Sequence, residues 1–202
     1  MNIGIDIDDT ISETFETLLP YAQKFTIEQL GREAKIDFNK KCVNHYYVEE
    51  MFNWSREESV EFWGKYITEI LEKVNIKTFA SDIINKLKKN GNNIYLITAR
   101  ANKDDNNVRE TTIKWLKDNN VIYDELFINA EADRKVQIVE ENKIDIFIDD
   151  SYENCKDVSD KTNAKVYMMN TRVNEKFSLD ENINRVYSWL ELEHLINKKG
   201  EN

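Results

Sequence analysis

The stretch NIGIDIDDT, residues 2–10, decides the fold prediction, because it is a short apolar run that ends in carboxylates. An apolar run of this length is typical of a buried strand in a parallel sheet. The acidic residues follow at its carboxyl end, the edge at which open α/β sheets bind their ligands. We therefore predict a first strand over residues 2–8. If the strand continues through Asp6 and Asp8, alternation places both carboxylates on the same side.

Further apolar runs predict the rest of a sheet. They span residues 93–98, 125–129, 144–150 and 164–169, and segments with helical spacing separate them. A capping box that begins at Ser188 predicts a final helix. Strands that alternate with helices indicate a parallel sheet covered on both faces. The sequence therefore predicts an α/β fold with a Rossmann-like parallel sheet.

The first and second predicted strands are separated by much more than one crossover helix. Residues 12–75 are largely helical in pattern and rich in aromatic side chains. Ser55 opens a capping box, and Pro20 is expected to kink or interrupt the helix before it. We therefore predict a core of residues 1–11 and 76–202, with a small helical cap of residues 12–75 over the strand ends.

Charge and cysteine content exclude several classes of partner. The chain has 28 basic and 38 acidic residues, and a net charge of −10 repels nucleic-acid backbone and anionic lipid. No apolar run approaches the roughly 20 residues that span a bilayer, and residues 1–10 lack a targeting pattern. Cys42 and Cys155 have the spacing of neither a disulfide framework nor a zinc site. We expect a cytoplasmic protein with reduced thiols that binds neither a nucleic-acid polymer nor a membrane.

Side chains with complementary chemistry fall at the ends of the predicted strands. Thr98 ends the second strand, Lys135 opens the helix after the third, and Asp149 and Asp150 end the fourth. Carboxylates are the hard oxygen ligands that Mg²⁺ prefers, and they repel one another without a cation. A bound cation would also neutralise a phosphate and permit attack by a carboxylate. The pattern predicts phosphate chemistry supported by Mg²⁺.

These residues, in this order, resemble the four motifs of the haloacid dehalogenase (HAD) phosphatase superfamily. The resemblance covers roughly residues 1–170 and all four motifs occur in the expected structural context. The first motif, Asp-x-Asp-x-Thr, is matched by Asp6, Asp8 and Thr10. The later motifs are matched by Thr98, by Lys135 and by the acidic pair Asp149-Asp150.

The resemblance implies a role for each matched residue. Asp6 would attack phosphorus and form an aspartyl-phosphate. Asp8 would protonate the leaving alcohol and then activate the water that hydrolyses the intermediate. Thr98 and Lys135 would hold the phosphoryl oxygens.

The resemblance also implies a Mg²⁺ site. Its ligands would be Asp6, the backbone carbonyl of Asp8 and the acids of the fourth motif. We favour Asp150 as the direct ligand and expect Asp149 to hold a metal-bound water.

Lys135 has rivals for the phosphate-binding role in Arg134, Lys103 and Lys143. Lys143 precedes the fourth strand and falls at the wrong end of the sheet. A cation in the first turn of a helix opposes the macrodipole unless an anion is nearby, which favours Lys135. Asp9 matches no function that the chemistry requires.

The substrate is the most open part of the prediction. A cap that closes over the site favours small substrates, and the layout resembles the 5′(3′)-deoxyribonucleotidase group and its bacterial relatives. We expect a nucleoside monophosphate, with Phe15 and Tyr46 or Tyr47 as candidates to stack on its base. Alternatively, the aromatic residues form only the core of the cap. A sugar phosphate or another small phosphoester, a binding module without turnover, and a homodimer all stay open.

Overall fold

A computed structural model describes residues 1–36, 47–101 and 107–197. Within these ranges one sheet is formed by six strands, which are β1 (Asn2–Ile5), β2 (Asn93–Ile97), β3 (Glu125–Phe127), β4 (Ile146–Asp149), β5 (Lys165–Met169) and β6 (Ile183–Val186). The strand order is β3-β2-β1-β4-β5-β6, and every neighbouring pair is parallel. This arrangement confirms the predicted α/β fold.

Helices fill the connections from β1 to β5 and follow β6. They are α1 (Thr14–Lys24), α2 (Tyr47–Phe52), α3 (Arg56–Lys73), α4 (Ala80–Lys89), α5 (Val108–Asp118), α6 (Ala132–Glu141), α7 (Tyr152–Lys161) and α8 (Trp189–Asn197). One apolar cluster joins β1 to α4, α5 and α8, and another joins β4 and β5 to α6 and α7. Helices therefore cover both faces of the sheet. In the described part of the chain, none of the helices is both long and apolar enough to cross a membrane.

The central strand β1 is apolar because neighbours enclose it on all sides. It pairs with β2 and β4, and Ile3 and Ile5 are fully buried. A Cβ atom at Gly4 would lie 3.0 Å from Cδ1 of Ile97 and 3.2 Å from Cγ2 of Ile144. A Cβ atom at these distances would force the two side chains to shift slightly, so the backbone of the strand packs directly against the neighbouring side chains.

Two predictions about the sheet are wrong in detail. β1 ends at Ile5, not at Asp8, because the carbonyl of Ile7 accepts turn hydrogen bonds from the backbone of residues 10–12. Asp9 completes this turn in the left-handed region, with φ at 55°. The strand β6 was not predicted at all, although it pairs in parallel with β5 along its whole length.

The first and last residues of the predicted cap lie side by side, where the chain leaves the core and returns to it. Ser12 and Ile76 form an antiparallel bridge, and the backbone N–H of Lys77 donates to the carbonyl of Ile11 over 2.7 Å. The helices between the two crossings surround an apolar cluster of their own. These features support the proposed division into a core of residues 1–11 and 76–202 and a cap of residues 12–75.

Local signals within this segment had mixed outcomes. The capping box at Ser55 is present in both directions, because its side chain accepts from the backbone of Glu58 and the Glu58 carboxylate accepts in return. Pro20 lies within α1 without ending it. The regular helix instead gives way at Phe25 to a π-helical segment, Phe25–Gln29.

Candidate active site

The register of the sheet brings the predicted acidic residues together. Ile5 of β1 pairs with Leu96 of β2 and with Ile148 of β4, so Asp6 and Asp149 each come one residue later on adjacent strands. Carboxylate oxygens of Asp6, Asp149 and Asp150 all lie within 4.8 Å of one another. Three carboxylates therefore converge at the carboxyl end of the central strands, where such sheets bind ligands.

Lys135 lies at the centre of this cluster. It comes from the first turn of α6, and its Nζ atom is 2.6 Å from Oδ1 of Asp6 and 2.6 Å from Oδ2 of Asp149. Its side chain is only 2% exposed. Burial lowers the pKa of the Lys135 ammonium, but Asp149 and Asp6 outweigh burial and raise that pKa above its ordinary value. The ammonium is therefore charged and bridges the ends of β1 and β4.

The rivals of Lys135 lie elsewhere or outside the described residues. Arg134 is 45% exposed and pairs with Glu141 on the surface of α6. Lys143 lies in the turn just before β4, at the opposite end of the strand from Asp149. Lys103 falls outside the ranges that the structure describes.

Asp149 and Asp150 have different surroundings. The carboxylate of Asp149 accepts hydrogen bonds from the backbone of Ser151 at 2.8 Å and from Nδ2 of Asn154 at 3.2 and 3.1 Å. Asp150 is held through its backbone instead, because its carbonyl accepts from Nδ2 of Asn174 at 2.7 Å. Asp149 is thus oriented by protein donors, while the Asp150 side chain is left to face the other carboxylates.

The cluster carries more negative than positive charge. Burial, followed by the charge of Asp149 and of Asp8, raises the pKa of Asp6 above its ordinary value despite Lys135. Burial, with Asp9, Asp149 and Asp6, likewise raises the pKa of Asp150. A divalent cation would relieve this repulsion, and a set of carboxylate oxygens fits Mg²⁺.

Asp8 faces a different cation. Arg100 donates from Nε to Oδ2 of Asp8 at 2.9 Å and from Nη2 to Oδ1 at 2.7 Å. Thr14, the first residue of α1, also donates to Oδ1 at 2.6 Å. Partial burial raises the pKa of Asp8, but Arg100 and then Thr14 outweigh it, so the pKa lies below its ordinary value. Arg100 and Thr14 therefore favour the charged form of Asp8 when no substrate is bound, and 33% of the Asp8 side chain is exposed.

Thr98 is fully buried just beyond the end of β2. Its backbone N–H donates to Phe127 and its carbonyl accepts from Ala130, both at 2.9 Å. Its Oγ1 atom accepts from the backbone N–H of Arg100 at 3.2 Å. That contact leaves the hydroxyl proton of Thr98 for an acceptor such as a phosphoryl oxygen.

Known proteins identify the family to which this arrangement belongs. No model of a known protein family matches the sequence. A nucleotidase from Clostridium acetobutylicum is 30% identical over 198 residues, which cover 98% of this chain and 94% of that protein. The crystal structure of a predicted phosphatase from the same species has a TM-score of 0.69 at 12% identity and covers 98% of both chains. A haloacid dehalogenase-like hydrolase from Streptococcus pneumoniae has a TM-score of 0.69 at 14% identity, covering 96% of this chain and 97% of that one.

The chain belongs to the HAD superfamily. This membership confirms the resemblance on which the sequence prediction rests. The names of the similar proteins also give the enzyme class, because they are a nucleotidase, a predicted phosphatase and a haloacid dehalogenase-like hydrolase. The HAD chain described here is therefore a phosphomonoester hydrolase.

Asp9 and Thr10 shape the first loop of this HAD chain. The carboxylate of Asp9 accepts from the backbone N–H of Phe15 at 2.9 Å, which ties the loop to the start of α1. The carbonyl of Thr10 accepts from Nε1 of Trp189 at 3.1 Å, which ties the loop to the start of α8. Asp9, for which the sequence predicted no function, stabilises the loop that carries Asp6 and Asp8.

The three aromatic residues predicted to contact a substrate base stay predictions. Phe15 is 2% exposed and packs in the apolar cluster of the cap. It also borders a cleft of about 270 Å³ that Asp9 and Lys77 help to line. Tyr46 lies outside the described residues, and Tyr47 begins α2 with a side chain that the structure does not describe.

Arg100 is the site residue that sequence reasoning missed. The sequence feature that could have indicated Arg100 is its position two residues after Thr98, at the end of a strand already assigned to the site. Nothing in the local pattern shows which carboxylate such an arginine contacts. Its partner becomes visible only when the loop after β1 is in place.

Proposed function

We propose that this enzyme is a Mg²⁺-dependent nucleotidase that hydrolyses nucleoside monophosphates through an aspartyl-phosphate on Asp6. The observation that carries the proposal is the contact of one buried ammonium, on Lys135, with both Asp6 and Asp149 at 2.6 Å. This contact puts a buried cation beside a carboxylate at the end of the central strand, which supports the phosphate-binding role proposed for Lys135. Such a pair is what transfer of a phosphoryl group to a carboxylate requires.

Mg²⁺ would be held by Asp6, Asp150 and the backbone carbonyl of Asp8. Asp150 is the better direct ligand, because both oxygens of Asp149 already accept from protein donors. Asp149 would then hold a metal-bound water. When bound, Mg²⁺ would supply the positive charge that lets a carboxylate approach an anionic phosphate.

The residues of the chain divide the two chemical steps between them. A carboxylate oxygen of Asp6 forms a bond to phosphorus while the bond from phosphorus to the leaving oxygen breaks. Asp8, protonated in the complex with the anionic substrate, gives its proton to that oxygen and afterwards takes a proton from the attacking water. Hydrolysis of the acyl-phosphate then releases inorganic phosphate and restores Asp6. Lys135 and the hydroxyl of Thr98 hold the phosphoryl oxygens throughout.

A nucleotide is the substrate class that the relatives favour. The clostridial protein that is 30% identical over nearly the whole chain is named a nucleotidase. Most aromatic side chains of the proposed cap pack in its own apolar cluster, but Phe15 also borders the cleft, and aromatic rings stack well on bases. Phe15, Tyr46 and Tyr47 are the proposed contacts. A small phosphorylated metabolite of this kind fits a cytoplasmic enzyme with no role on nucleic-acid polymers.

The first experiment measures hydrolysis of p-nitrophenyl phosphate with Mg²⁺ and with EDTA. Activity should require Mg²⁺, and Asp6→Asn should lower kcat by roughly 10⁴-fold or more, since an amide cannot form the acyl-phosphate. Full activity of the variant would refute Asp6 as the nucleophile. Absence of metal-dependent turnover in the unmodified enzyme would favour a binding module.

A substrate panel tests the nucleotide assignment separately. Nucleoside 5′- and 3′-monophosphates are compared with sugar phosphates at equal concentrations, and kcat/KM is measured for each. The proposal expects a nucleotide to have the highest value. A sugar phosphate that is hydrolysed far faster than every nucleotide would replace the substrate class but leave the chemistry unchanged.

A further inference from the structure

Arg100 and Asp8 form a two-point ion pair beside the carboxylate cluster. The guanidinium donates from Nε to Oδ2 at 2.9 Å and from Nη2 to Oδ1 at 2.7 Å. A guanidinium that donates two parallel hydrogen bonds fixes the plane of a carboxylate as well as its position. An ammonium, which is a point charge, can fix only the distance. The pair therefore sets the orientation of both oxygens of Asp8.

The guanidinium is buried between Asp8 and α5. Its side chain is 3% exposed, whereas that of Asp8 is 33% exposed. Nη1 of Arg100 donates to Oγ1 of Thr112 at 3.3 Å, and its Cζ atom lies 5.7 Å from the ring centroid of Trp115. A group enclosed on these sides exposes much less surface to the site than the carboxylate that it contacts. Any effect of Arg100 on the reaction must pass through Asp8.

Stability gives only a weak reason for such a pair. Removing a guanidinium from water carries a large desolvation penalty. Solvent screens part of the compensating attraction, because Asp8 is one-third exposed. Apolar replacements of buried ion pairs are often neutral or stabilising for this reason. A role in orienting Asp8 accounts better for the buried cation.

We infer that Arg100 is a positioning residue, which orients the carboxylate of Asp8 toward the leaving oxygen and then toward the attacking water. The inference rests on the proposed acid–base role of Asp8. The segment Thr98-Ala99-Arg100 then has two functions. Its two end residues are also in contact, because the backbone N–H of Arg100 donates to Oγ1 of Thr98 at 3.2 Å. One end of this segment holds phosphate and the other orients the acid.

The test is a double-mutant cycle measured on two leaving groups. Arg100→Met keeps an apolar stem without the guanidinium, and Arg100→Lys keeps the charge without the fork. Each is made alone and together with Asp8→Asn, and kcat and KM are measured with p-nitrophenyl phosphate and with a nucleoside 5′-monophosphate. Nitrophenolate leaves without protonation, whereas the nucleoside alkoxide needs an acid.

A misplaced acid should slow only the reaction that needs it. Arg100→Met is expected to lower kcat on the nucleotide by roughly 10- to 100-fold with little change in KM, and much less on nitrophenyl phosphate. Arg100→Lys should fall between it and the unmodified enzyme. Neither Arg100 variant should lower activity further when Asp8 is already Asn, because Arg100 acts only through that carboxylate.

Arg134→Met is the matched control, since it removes an arginine whose carboxylate partner lies on the surface of α6. It should keep kcat on both substrates within about twofold. Circular dichroism and the thermal midpoint identify any variant that fails to fold, in which case Arg100→Lys carries the comparison. Equal losses on both substrates, additive losses with Asp8→Asn, or no loss at all would each overturn the inference.

The same cycle separates this inference from the proposed function. If Asp8→Asn slows both substrates equally, the acid role of Asp8 is refuted. The coupling between the two residues then still decides whether Arg100 acts through Asp8, because additivity would exclude it. If Asp8→Asn is selective and the Arg100 variants are not, the proposed function stands and the positioning role falls.

Discussion

Nζ of Lys135 and Oδ2 of Asp149 are 2.6 Å apart, and their side chains are 2% and 1% exposed. Among the ion pairs of the described residues, this one is the most deeply buried. The same ammonium also contacts Asp6, so one cation stabilises two carboxylates on adjacent strands. A buried cation shared in this way neutralises carboxylates that its removal would leave uncompensated, and it also supplies a charge to the site.

Lys135→Met should therefore destabilise the enzyme as well as inactivate it. Without the ammonium, the carboxylates of Asp6 and Asp149 repel each other in a buried site. Breaking a buried pair by removing one partner costs roughly 3–5 kcal/mol. Urea unfolding in EDTA measures the free energy of unfolding directly.

The control for this prediction is Lys156→Met, which removes a lysine whose pairs with Asp160 and Asp180 are exposed. It should leave the free energy of unfolding nearly unchanged. Added Mg²⁺ should restore part of the stability of Lys135→Met, because the ion binds the folded cluster. Equal unfolding free energies for the two variants would contradict the role given to Lys135.

The positions of Asp6, Lys135 and Asp149 could be predicted because parallel strands order their carboxyl ends along one edge. Each of the three lies at a strand end or in the first turn of the following helix. Asp8 and Arg100 could not be paired in this way. The chain leaves the sheet after Asp6 and turns at Asp9, so strand alternation no longer says where Asp8 points.

The strand β6 shows a second limit of pattern reasoning. Only Ile183 and Val186 are buried in it, and Asn184 and Arg185 lie between them. Apolar residues three apart match neither the alternation of a half-exposed strand nor the continuous run of a central one. Pairing with β5 at the edge of the sheet forms this strand, which is a tertiary effect that a local pattern does not contain.

Asp8→Asn tests the acid role by its dependence on the leaving group. The amide cannot donate a proton as the carboxyl does, so kcat on a nucleoside 5′-monophosphate should fall by roughly 10²- to 10⁴-fold. On p-nitrophenyl phosphate the penalty should be much smaller, because the leaving group needs no proton. Steady-state kinetics on both substrates give the two ratios, and equal ratios would contradict the role.

Asp150→Asn should stabilise the enzyme in EDTA but lose that advantage over the unmodified enzyme when Mg²⁺ is added. The pKa of Asp150 is raised in the folded enzyme, so its favourable contribution exists at low pH and is lost as pH rises through that pKa. In EDTA the thermal midpoint of the variant should therefore exceed that of the unmodified enzyme by a margin that grows as pH rises from about 4 through the raised pKa. With Mg²⁺ the unmodified enzyme should gain stability that the variant lacks.

Asp160→Asn is the matched control for Asp150, since it removes one negative charge from an exposed pair on α7. Its thermal midpoint should respond to Mg²⁺ as the unmodified enzyme does. A Mg²⁺ response in Asp150→Asn as large as in the control would show that Asp150 is not a ligand.

Asp124→Asn should show the opposite dependence on pH, far from the active site. The Asp124 carboxylate accepts from the backbone of Ile94 at 2.7 Å and from Lys88 at 2.6 Å. Burial raises the pKa of Asp124, but the hydrogen bonds from Lys88 and Ile94 outweigh it and lower the pKa. A lowered pKa gives stability that is present above the unfolded pKa and is lost as pH falls through the folded one. The variant should thus be less stable by about 1 kcal/mol at neutral pH, and the difference should shrink on acidification. Urea unfolding from neutral to acidic pH measures this difference. The control is Asp118→Asn, which removes a carboxylate from an exposed ion pair on α5. A loss of stability in Asp124→Asn that grows toward low pH would refute the account.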